Sequence, residues 1–433
     1  MQQPNIRFLS FLQYLQEPCK KWWHGVELVS STNIIIKRNQ YDKGMTLGTL
    51  IVIVLEFIFV FSALFMPTDN YNIKKIFFVL IIIVCMPSVI RKMKISQFAF
   101  LDFMSIGFPL VFILISVLCF NNSFNAAFTI GHCGIYFLLF FAISDDKYEY
   151  QQVVLTVLKI EVLITFISGL LHYSGLVPIQ NNTIFQFLRS TSNAMVGSGY
   201  YWTSFGLMAW LKSSPLFILL LSDCLQKKKY LWAVITCAGI YFSGSRANVF
   251  TMIILVFAYA IMYHPQTKAE IILKTFIIAV ILGGMIFMLP KMALSFSDIM
   301  TRRSRNDIVR TGYFSDLISL YKEKPLSIIW GTGFGSELYV SYYGEYRRII
   351  ELSFIDILRQ IGLIGMIPFL YFIFFPVKSI ALKSEWTAFA YILYIIIAAT
   401  NPLLYSSTAY VVYIYAYLYY YYESISSDLK EYV

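Results

Sequence analysis

The sequence predicts an all-α polytopic membrane protein with about twelve transmembrane helices and one large loop outside the bilayer. Of the 433 residues, 58% are hydrophobic and only 13% are charged, whereas a soluble domain carries about a quarter charged residues. The apolar residues form runs of roughly twenty, the length at which an α-helix crosses a bilayer core. Lysine and arginine cluster in alternate loops, as expected where those loops face the cytoplasm.

The first apolar run follows residues 1–46, which are predicted to form a cytoplasmic tail. We expect no cleavable signal peptide there, because a continuous apolar stretch followed by small residues is missing. Apolar residues in 8–15 recur at helical spacing ahead of the basic segment 20–23, a pattern typical of a helix in the membrane interface. A disordered tail fits the composition equally well, and both interpretations stay open.

Nine spans are predicted in 47–289 and three in 358–422. Their approximate bounds are 47–66, 74–90, 99–120, 124–143, 153–177, 204–225, 230–243, 247–263, 271–289, 358–376, 386–402 and 408–422. The seventh is short, and only 121–123 separate the third from the fourth, so eleven spans is the alternative. The tyrosines of 413–422 suit an aromatic belt at a membrane interface.

Charge orients the predicted bundle. With the N-terminus inside, the basic segments 91–94 and 227–229 also lie inside, as do Lys378 and Lys383, which satisfies the positive-inside rule. Both termini are then cytoplasmic, and 423–433 forms a second, short tail.

The large outer loop, 290–357, carries cations that the topology does not explain. Nine lysines and arginines lie in 290–350, although long loops cross the membrane regardless of charge. Within the loop, 306–323 is predicted to be an amphipathic helix that ends before Pro325. Its apolar face, predicted to lie against the membrane or the bundle, consists of Val309, Tyr313, Leu317 and Leu320.

Arginines of this loop are candidates for binding an anion. Four of them precede or enter the predicted helix, namely Arg302, Arg303, Arg305 and Arg310. The planar guanidinium suits bidentate recognition of phosphate. Pairing with Asp307 is an alternative worth only about 0.2–0.5 kcal/mol, but one aspartate cannot neutralise four arginines. We therefore predict that Arg303, Arg305 and Arg310 bind a phosphate or diphosphate.

Two further arginines are predicted on the outer side. Arg246 stands in Ser-Gly-Ser-Arg-Ala-Asn at the membrane boundary, where a charge needs a partner or a ligand. Arg189 stands in Phe-Leu-Arg-Ser-Thr-Ser-Asn between two spans. Arg246 is predicted to join the diphosphate site, with Arg189 supporting it.

The segment 331–335 reads Gly-Thr-Gly-Phe-Gly. Its glycine spacing differs from the dinucleotide fingerprint, and the βαβ context is missing. Gly331, Gly333 and Gly335 are predicted to allow a tight turn that returns the loop to the membrane. A nest of backbone N–H groups that binds an anion is the alternative.

Glu351 follows the loop at the outer membrane surface. A carboxylate there can act as a general base towards a hydroxyl group. A plain salt bridge to Arg347 or Arg348 explains the residue equally well, and both interpretations stay open.

Other functional classes find little support in the composition. The net charge of +10 reflects the basic loops of a membrane protein rather than nucleic-acid binding. The six cysteines form no Cys-x-x-Cys pair, and the four histidines have no metal-ligand spacing. We therefore predict no metal site and no cofactor.

Several short motifs follow one another in a definite order. They are Ser245-Arg246 at the mouth of a helix, the arginine-containing loop, Lys-Pro-Leu at 324–326 ahead of the glycine segment, Gly-Leu-Ile-Gly at 362–365 and Asn-Pro-Leu-Leu at 401–404. In this order and spacing, over about 180–420, the chain resembles the O-antigen polymerase and O-antigen ligase superfamily of bacterial inner-membrane glycosyltransferases.

The resemblance implies a GT-C-like helical fold and, within the superfamily, a polymerase. Ligases typically carry a catalytic His-Asn pair eleven residues before the first glycine of Gly-Leu-Ile-Gly. Glu351 and Leu352 stand at that place here, which favours a polymerase and leaves Glu351 as the candidate base.

Such a polymerase joins oligosaccharide repeat units, carried on undecaprenyl diphosphate, at the periplasmic face of the inner membrane without a metal ion. The implied partners are the lipid-linked oligosaccharide, the bilayer and a chain-length regulator protein. A ligase that transfers glycan to lipid A core is one alternative. A flippase for the same lipid-linked sugar is another, although transport predicts charges buried deep in several helices and no large outer loop.

Overall fold

The computed structural model describes residues 47–68, 71–144, 147–198, 207–262 and 305–431, together with the helical positions 271, 272, 275 and 279. The chain divides into a unit of residues 1–52 and a unit of residues 53–433. The described part of the first unit is the beginning of helix α1, and the second unit contains the other described elements. The predicted N-terminal tail lies outside the described residues, as does most of the predicted span 271–289.

Helices make up most of the described chain. In order they are α1 (Leu47–Phe65), α2 (Ile73–Val84), α3 (Met86–Met93), α4 (Ala99–Asp102), α5 (Phe108–Leu118), α6 (Phe124–Gly131), α7 (Leu139–Ile143), α8 (Lys147–Tyr173), α9 (Thr183–Ser190), α10 (Phe217–Gln226), α11 (Tyr230–Phe242), α12 (Arg246–Met262), α13 (Arg305–Glu323), α14 (Ser327–Trp330), α15 (Ser353–Phe374), α16 (Pro376–Lys383), α17 (Glu385–Ala399) and α18 (Ser407–Glu431). A π-helical turn, Phe103–Gly107, joins α4 to α5, and the 3₁₀ segment His132–Leu138 joins α6 to α7.

Five helical stretches among the described residues are long and apolar enough to cross a membrane. They are Gly48–Phe65, Ala99–Leu118, Phe124–Ile143, Glu149–Tyr173 and Ser353–Lys383. A sixth exists if α2 and α3, bent by 74°, form one broken span. Pro87 at the start of α3 accounts for the bend, because it cannot continue the hydrogen bonding of α2.

Four shorter apolar helices were each predicted to be full spans. They are Ser214–Gln226, Tyr230–Phe242, Arg246–Met262 and Glu385–Ala399. The longest has 17 residues and covers about 25 Å, less than the roughly 30 Å of a bilayer core. The described residues therefore form a mostly helical chain with five or six spans by length, and the count of twelve stays a prediction.

Two β-hairpins interrupt the helices, although the sequence predicted an all-α chain. Strands β1 (Ala194–Ser198) and β2 (Leu207–Leu211) pair antiparallel, as do β3 (Leu338–Val340) and β4 (Glu345–Arg347). The predicted span 204–225 is therefore wrong at its beginning. Strand β2 occupies that part, and Pro215 then opens the helical turn that leads into α10.

Two predicted boundaries also differ from the structure. Helix α15 begins at Ser353, inside the stretch assigned to the outer loop, 290–357. The last predicted span, 408–422, belongs to the longer helix α18, which continues through the predicted tail to Glu431. The described part of the outer loop begins at Arg305.

The tyrosines of α18 lie in the protein core. Tyr410, Tyr413 and Tyr417 are buried, and their rings pack against Phe372 of α15. The hydroxyl of Tyr413 donates to the Leu404 carbonyl at 2.8 Å, which satisfies a polar group that would otherwise be buried without a partner. The predicted aromatic belt over 413–422 is therefore wrong for Tyr413 and Tyr417, since a belt faces the membrane interface.

Hydrogen bonds assemble one end of the bundle, which we call the arginine end because it carries Arg189 and Arg310. The Thr68 N–H donates to the Asn193 side chain at 2.8 Å. The Lys74 ammonium at the start of α2 donates to the Ser407 hydroxyl at the start of α18, at 3.1 Å. The Leu403 N–H donates to the hydroxyl of Ser353 at 3.1 Å, which ties the start of α15 to the chain after α17.

Other contacts assemble the opposite end, which we call the lysine end. The Gln226 amide at the end of α10 donates to Thr387 at 3.1 Å, near the start of α17. The Lys92 ammonium in α3 lies 5.5 Å from the ring centre of Tyr421 in α18. Helices α17 and α18, and the pair α2–α3, therefore begin at one end and finish at the other.

Candidate functional site

Helix α13 forms a separate layer at the arginine end by packing on the second hairpin. Val309 and Tyr313 of the helix form a small buried cluster with Leu338, Val340 and Ile350. The predicted helix over 306–323 is thus present, and its apolar face contacts β3 and the segment that leads into α15. Pro325 follows the end of the helix.

This packing brings two predicted site residues together. The Arg310 Nε lies 3.9 Å from the Glu351 carboxylate. Their side chains are 39% and 47% exposed, so an exposed pair of this kind contributes only about 0–1 kcal/mol to stability. Both groups remain accessible to a ligand at the surface of the arginine end.

The neighbouring arginines are paired with other carboxylates. Arg347 binds Glu345 at 2.7 Å, and its guanidinium lies 3.6 Å from the ring centre of Tyr343. Arg348 binds Glu337 at 2.9 Å. Among the described residues, Glu351 therefore faces Arg310 and not Arg347 or Arg348.

Tyr313 follows Arg310 by three residues on α13 and is buried. Burial, together with the nearby Tyr343 and Glu351, raises the pKa of Tyr313 to about 12, although Arg347 opposes the shift. The fold therefore favours the neutral phenol of Tyr313 over the phenolate.

The glycine turn, 331–335, is held between α15 and the α5–α6 connection. Gly331, Gly333 and Gly335 have φ values of 78°, 83° and 76°, a region that residues with a Cβ atom rarely adopt. A Cβ on Gly333 would lie 2.6 Å from the Asn122 amide nitrogen, and one on Gly335 would lie 2.5 Å from the Ala126 backbone. Both the conformation and the close approach therefore require glycine.

The turn docks into a break in α15. Gly362 has φ 64° and ψ −176°, so the helix cannot continue through it, and the carbonyls of the preceding turn lose their helical partners. The N–H groups of Thr332 and Gly333 replace them by donating to the Arg359 and Gln360 carbonyls at 2.8 and 2.9 Å. Irregular backbone within an apolar segment is thereby satisfied by protein.

The same hydrogen bonds weigh against an anion-binding nest at the turn. The N–H groups of Thr332 and Gly333 are engaged with α15, and that of Phe334 donates to the Ser116 hydroxyl at 2.6 Å. A nest needs successive N–H groups that point at the ligand. The turn therefore acts as a structural joint.

Arg359 is an important residue that the sequence reasoning missed. Its side chain is fully buried, and its guanidinium donates to Asp356 at 2.7 Å, to the Ser336 hydroxyl at 2.8 Å and to the Arg348 carbonyl at 2.9 Å. It ties both ends of the segment 336–348 to α15. The available signal was an aspartate three residues before an arginine at the edge of an apolar run, where a charge needs a partner.

The other predicted arginines are distributed differently. Arg303 lies outside the described residues, and Arg305 begins α13, with a side chain that is not described. Arg246 is exposed at the first residue of α12. It follows Gly244, which packs so closely on β2 that an added Cβ would lie 2.5 Å from the Leu207 carbonyl oxygen. Arg189 is exposed in the last turn of α9.

Arg189 lines a cavity of about 550 Å³ between α9 and the β1–β2 hairpin. Lys212, Trp210, Met195 and Met208 also line it. Burial lowers the pKa of Lys212, and the nearby Lys74 lowers it further. The described predicted residues that carry charge thus fall in three places. Arg310 of α13 lies beside Glu351, Arg246 begins α12, and Arg189 lies at the first hairpin, where the cavity also contains Lys212.

Comparison with known proteins adds no family assignment. The chain matches no protein-family model, and no curated protein matches it. The resemblance to the O-antigen polymerase and ligase superfamily therefore stays a prediction.

Proposed function

We propose that this protein is an O-antigen polymerase of a bacterial inner membrane. It joins oligosaccharide repeat units, each carried on undecaprenyl diphosphate, into a polysaccharide at the periplasmic face. The arginine end is then the periplasmic end, and both termini are cytoplasmic. A protein that sets the chain length is an expected partner.

The observation that supports this proposal best is the pairing of Arg310 with Glu351. The two residues come from α13 and from the segment before α15, and the fold brings them to 3.9 Å at a half-exposed surface. A cation beside a carboxylate provides the two groups that glycosyl transfer from a diphosphate needs without a metal, a charge for the leaving group and a base for the acceptor.

The proposed reaction assigns each group one role. The Glu351 carboxylate accepts the proton of an acceptor hydroxyl as that oxygen attacks the anomeric carbon of the donor. The bond from the anomeric carbon to the diphosphate oxygen breaks, and undecaprenyl diphosphate leaves with the bonding electrons. Arg310 stabilises the negative charge that develops on the leaving group.

The remaining arginines extend the same positive surface. Arg303 and Arg305 directly precede or begin α13, so they are proposed to hold the diphosphate with Arg310. Arg246 and Arg189 are proposed to attract the anionic donor to the arginine end, because long-range attraction raises the local concentration of a charged substrate.

Deletion of the gene and gel analysis of the cell's lipopolysaccharide test the function. A polymerase deletion is expected to collapse the ladder to core plus a single repeat unit, because ligation and flipping continue. Loss of all O-antigen from lipid A, with long polymer still on the lipid carrier, would indicate the ligase instead. Loss of the O-antigen on lipid A together with the polymer on the lipid carrier would indicate the flippase.

A further inference from the structure

The cavity beside the β1–β2 hairpin has the volume of a ligand pocket. At about 550 Å³, it falls within the usual size range of small-molecule sites. Met195 of β1 lies directly opposite Trp210 of β2 in the strand register, so both side chains point to one face. They line the cavity together with Met208, which gives it an apolar wall.

Two cations lie at this apolar wall. The Arg189 side chain and the Lys212 ammonium form no hydrogen bond or ion pair with any residue that the structure describes. Lys74 lies near enough to Lys212 to act on its charge. Positive groups close together repel one another, so a bound anion would relieve this repulsion.

The helix beside the cavity presents apolar residues to its surroundings. Phe185 and Leu188 of α9 are buried, yet Ile184 and Phe187 of the same helix are 44% and 43% exposed. Met195 in β1 is 52% exposed. The exposed side of α9 therefore mixes large apolar residues with Gln186 and Arg189, a composition that suits a helix at the membrane interface.

We propose that this pocket binds the phosphorylated headgroup of a lipid, with Arg189 and Lys212 on the phosphate and the lipid chain along the exposed apolar residues of α9. A free sugar phosphate would not use that apolar surface, and an uncharged lipid would not use the two cations. This inference deepens the proposed function and rests on it for the identity of the lipid, which is then a second undecaprenyl diphosphate, separate from the one at Arg310, since each of the two joined repeat units has its own carrier. An ordinary anionic phospholipid shares the same chemistry.

Binding to the purified full-length protein in phosphatidylcholine nanodiscs tests this site. Undecaprenyl diphosphate and phosphatidylglycerol are added in separate titrations, and bound lipid is counted by native mass spectrometry. The variant Arg189→Gln/Lys212→Gln is expected to bind about 100-fold more weakly, because each charged contact contributes about tenfold. The matched control Lys378→Gln/Lys383→Gln removes the same charge at the lysine end and is expected to stay within about twofold of the parent.

The two lipids distinguish the sources of the headgroup. Weakened binding of undecaprenyl diphosphate supports the carrier lipid as occupant, and weakened binding of phosphatidylglycerol alone supports a bilayer phospholipid. Unchanged binding of both lipids overturns the proposal. The charge-preserving variant Arg189→Lys/Lys212→Arg is expected to retain binding within about tenfold, and a loss equal to that of the glutamine variant also overturns it.

This measurement is independent of polymerisation. If the pocket variant loses lipid binding while deletion of the gene leaves the polysaccharide unchanged, the proposed function fails and the pocket stands. If lipid binding is unaffected while deletion collapses the ladder, the pocket fails and the function stands.

Discussion

The Arg310–Glu351 contact illustrates how little an ion pair at a surface contributes to a fold and how much it can contribute to chemistry. At 3.9 Å and half exposed, the pair adds at most about 1 kcal/mol to stability. A substitution in it should therefore separate function from folding. Arg359 behaves in the opposite way, because removing one partner of a buried pair leaves an uncompensated charge and costs about 3–5 kcal/mol.

Glu351→Gln is expected to reduce polymerisation at least about 100-fold, because a positioned general base contributes about 10²–10⁴ to a rate. Polymer on a lipopolysaccharide gel and the rate of carrier release by the purified protein measure this loss. Glu345→Gln is the matched control, since Glu345 is an exposed carboxylate that pairs with Arg347. Equal activity of the Glu351→Gln variant and the parent would remove Glu351 as the base.

The raised pKa of Tyr313 in α13 predicts how the stability of the folded protein changes with pH. This pKa is raised to about 12 in the folded protein, against about 10 in an unfolded chain. The folded state therefore holds the proton more tightly, and this stabilisation is complete below pH 10 and is lost as the pH rises towards 12. The thermal midpoint of the parent should fall faster than that of Tyr313→Phe across this range, whereas a constant difference would contradict the prediction.

At the residue scale, the sequence could indicate which side chains suit an anion site, but not which of them lie close together in the fold. Arginines near a membrane surface predict an anion site, yet nothing in the spacing of Arg310 and Glu351 says that they meet. Lys212 stood out only as a charge inside a predicted span, so the sequence did not assign it to a binding site. Its place in the cavity depends on the hairpin that precedes it.

At the scale of elements, long amphipathic patterns were informative and short apolar ones were not. Helix α13 matches its prediction to within one residue, because its apolar positions, 309–320, recur through about three turns. Strand β2 reads Leu-Met-Ala-Trp-Leu, and a uniformly apolar run of five residues cannot be told from the start of a helix by periodicity. Strands β3 and β4 have three residues each, too few for any pattern.

Alanine substitutions in two glycines separate backbone strain from crowding. Gly344 has φ 65° and open space around it, whereas a Cβ on Gly331 would overlap the Gln360 backbone. Gly344→Ala should cost about 1–2 kcal/mol for the left-handed conformation alone, and Gly331→Ala about 3 kcal/mol or more. Unfolding of the purified variants measures both losses of stability. Equal losses would show that the close approach of Gly331 to the Gln360 backbone adds no cost.

At the scale of the whole molecule, the arrangement of the ends is better supported than the number of spans. Hydrogen bonds tie the predicted outer connections together at the arginine end and the predicted inner ones at the lysine end. Helix length is less predictable, because bends at Pro87 and Gly362 depend on what packs against them. Apolar composition reports only that a segment avoids water, whether it faces lipid or protein.

Cysteine labelling tests this arrangement in intact cells. In a background without native cysteines, Asn72→Cys and Lys322→Cys at the arginine end should react with a membrane-impermeant maleimide. Lys229→Cys and Lys383→Cys at the lysine end should react only after the membrane is opened, since all four positions are exposed in the structure. Labelling of positions from both ends in sealed cells would contradict the proposed orientation.

The joint between the glycine turn and the α5–α6 connection also imposes an order on biogenesis. Asn122 donates hydrogen bonds to the Thr332 and Phe334 carbonyls, across separations of 210 and 212 residues. At a synthesis rate of about 5–20 residues per second, the early partner waits roughly 10–40 s for the late one. During that interval the Asn122 amide lacks these two carbonyl partners. The finished joint therefore requires that synthesis has passed Phe334, and a chain truncated before residue 331 should remain a substrate for membrane quality control.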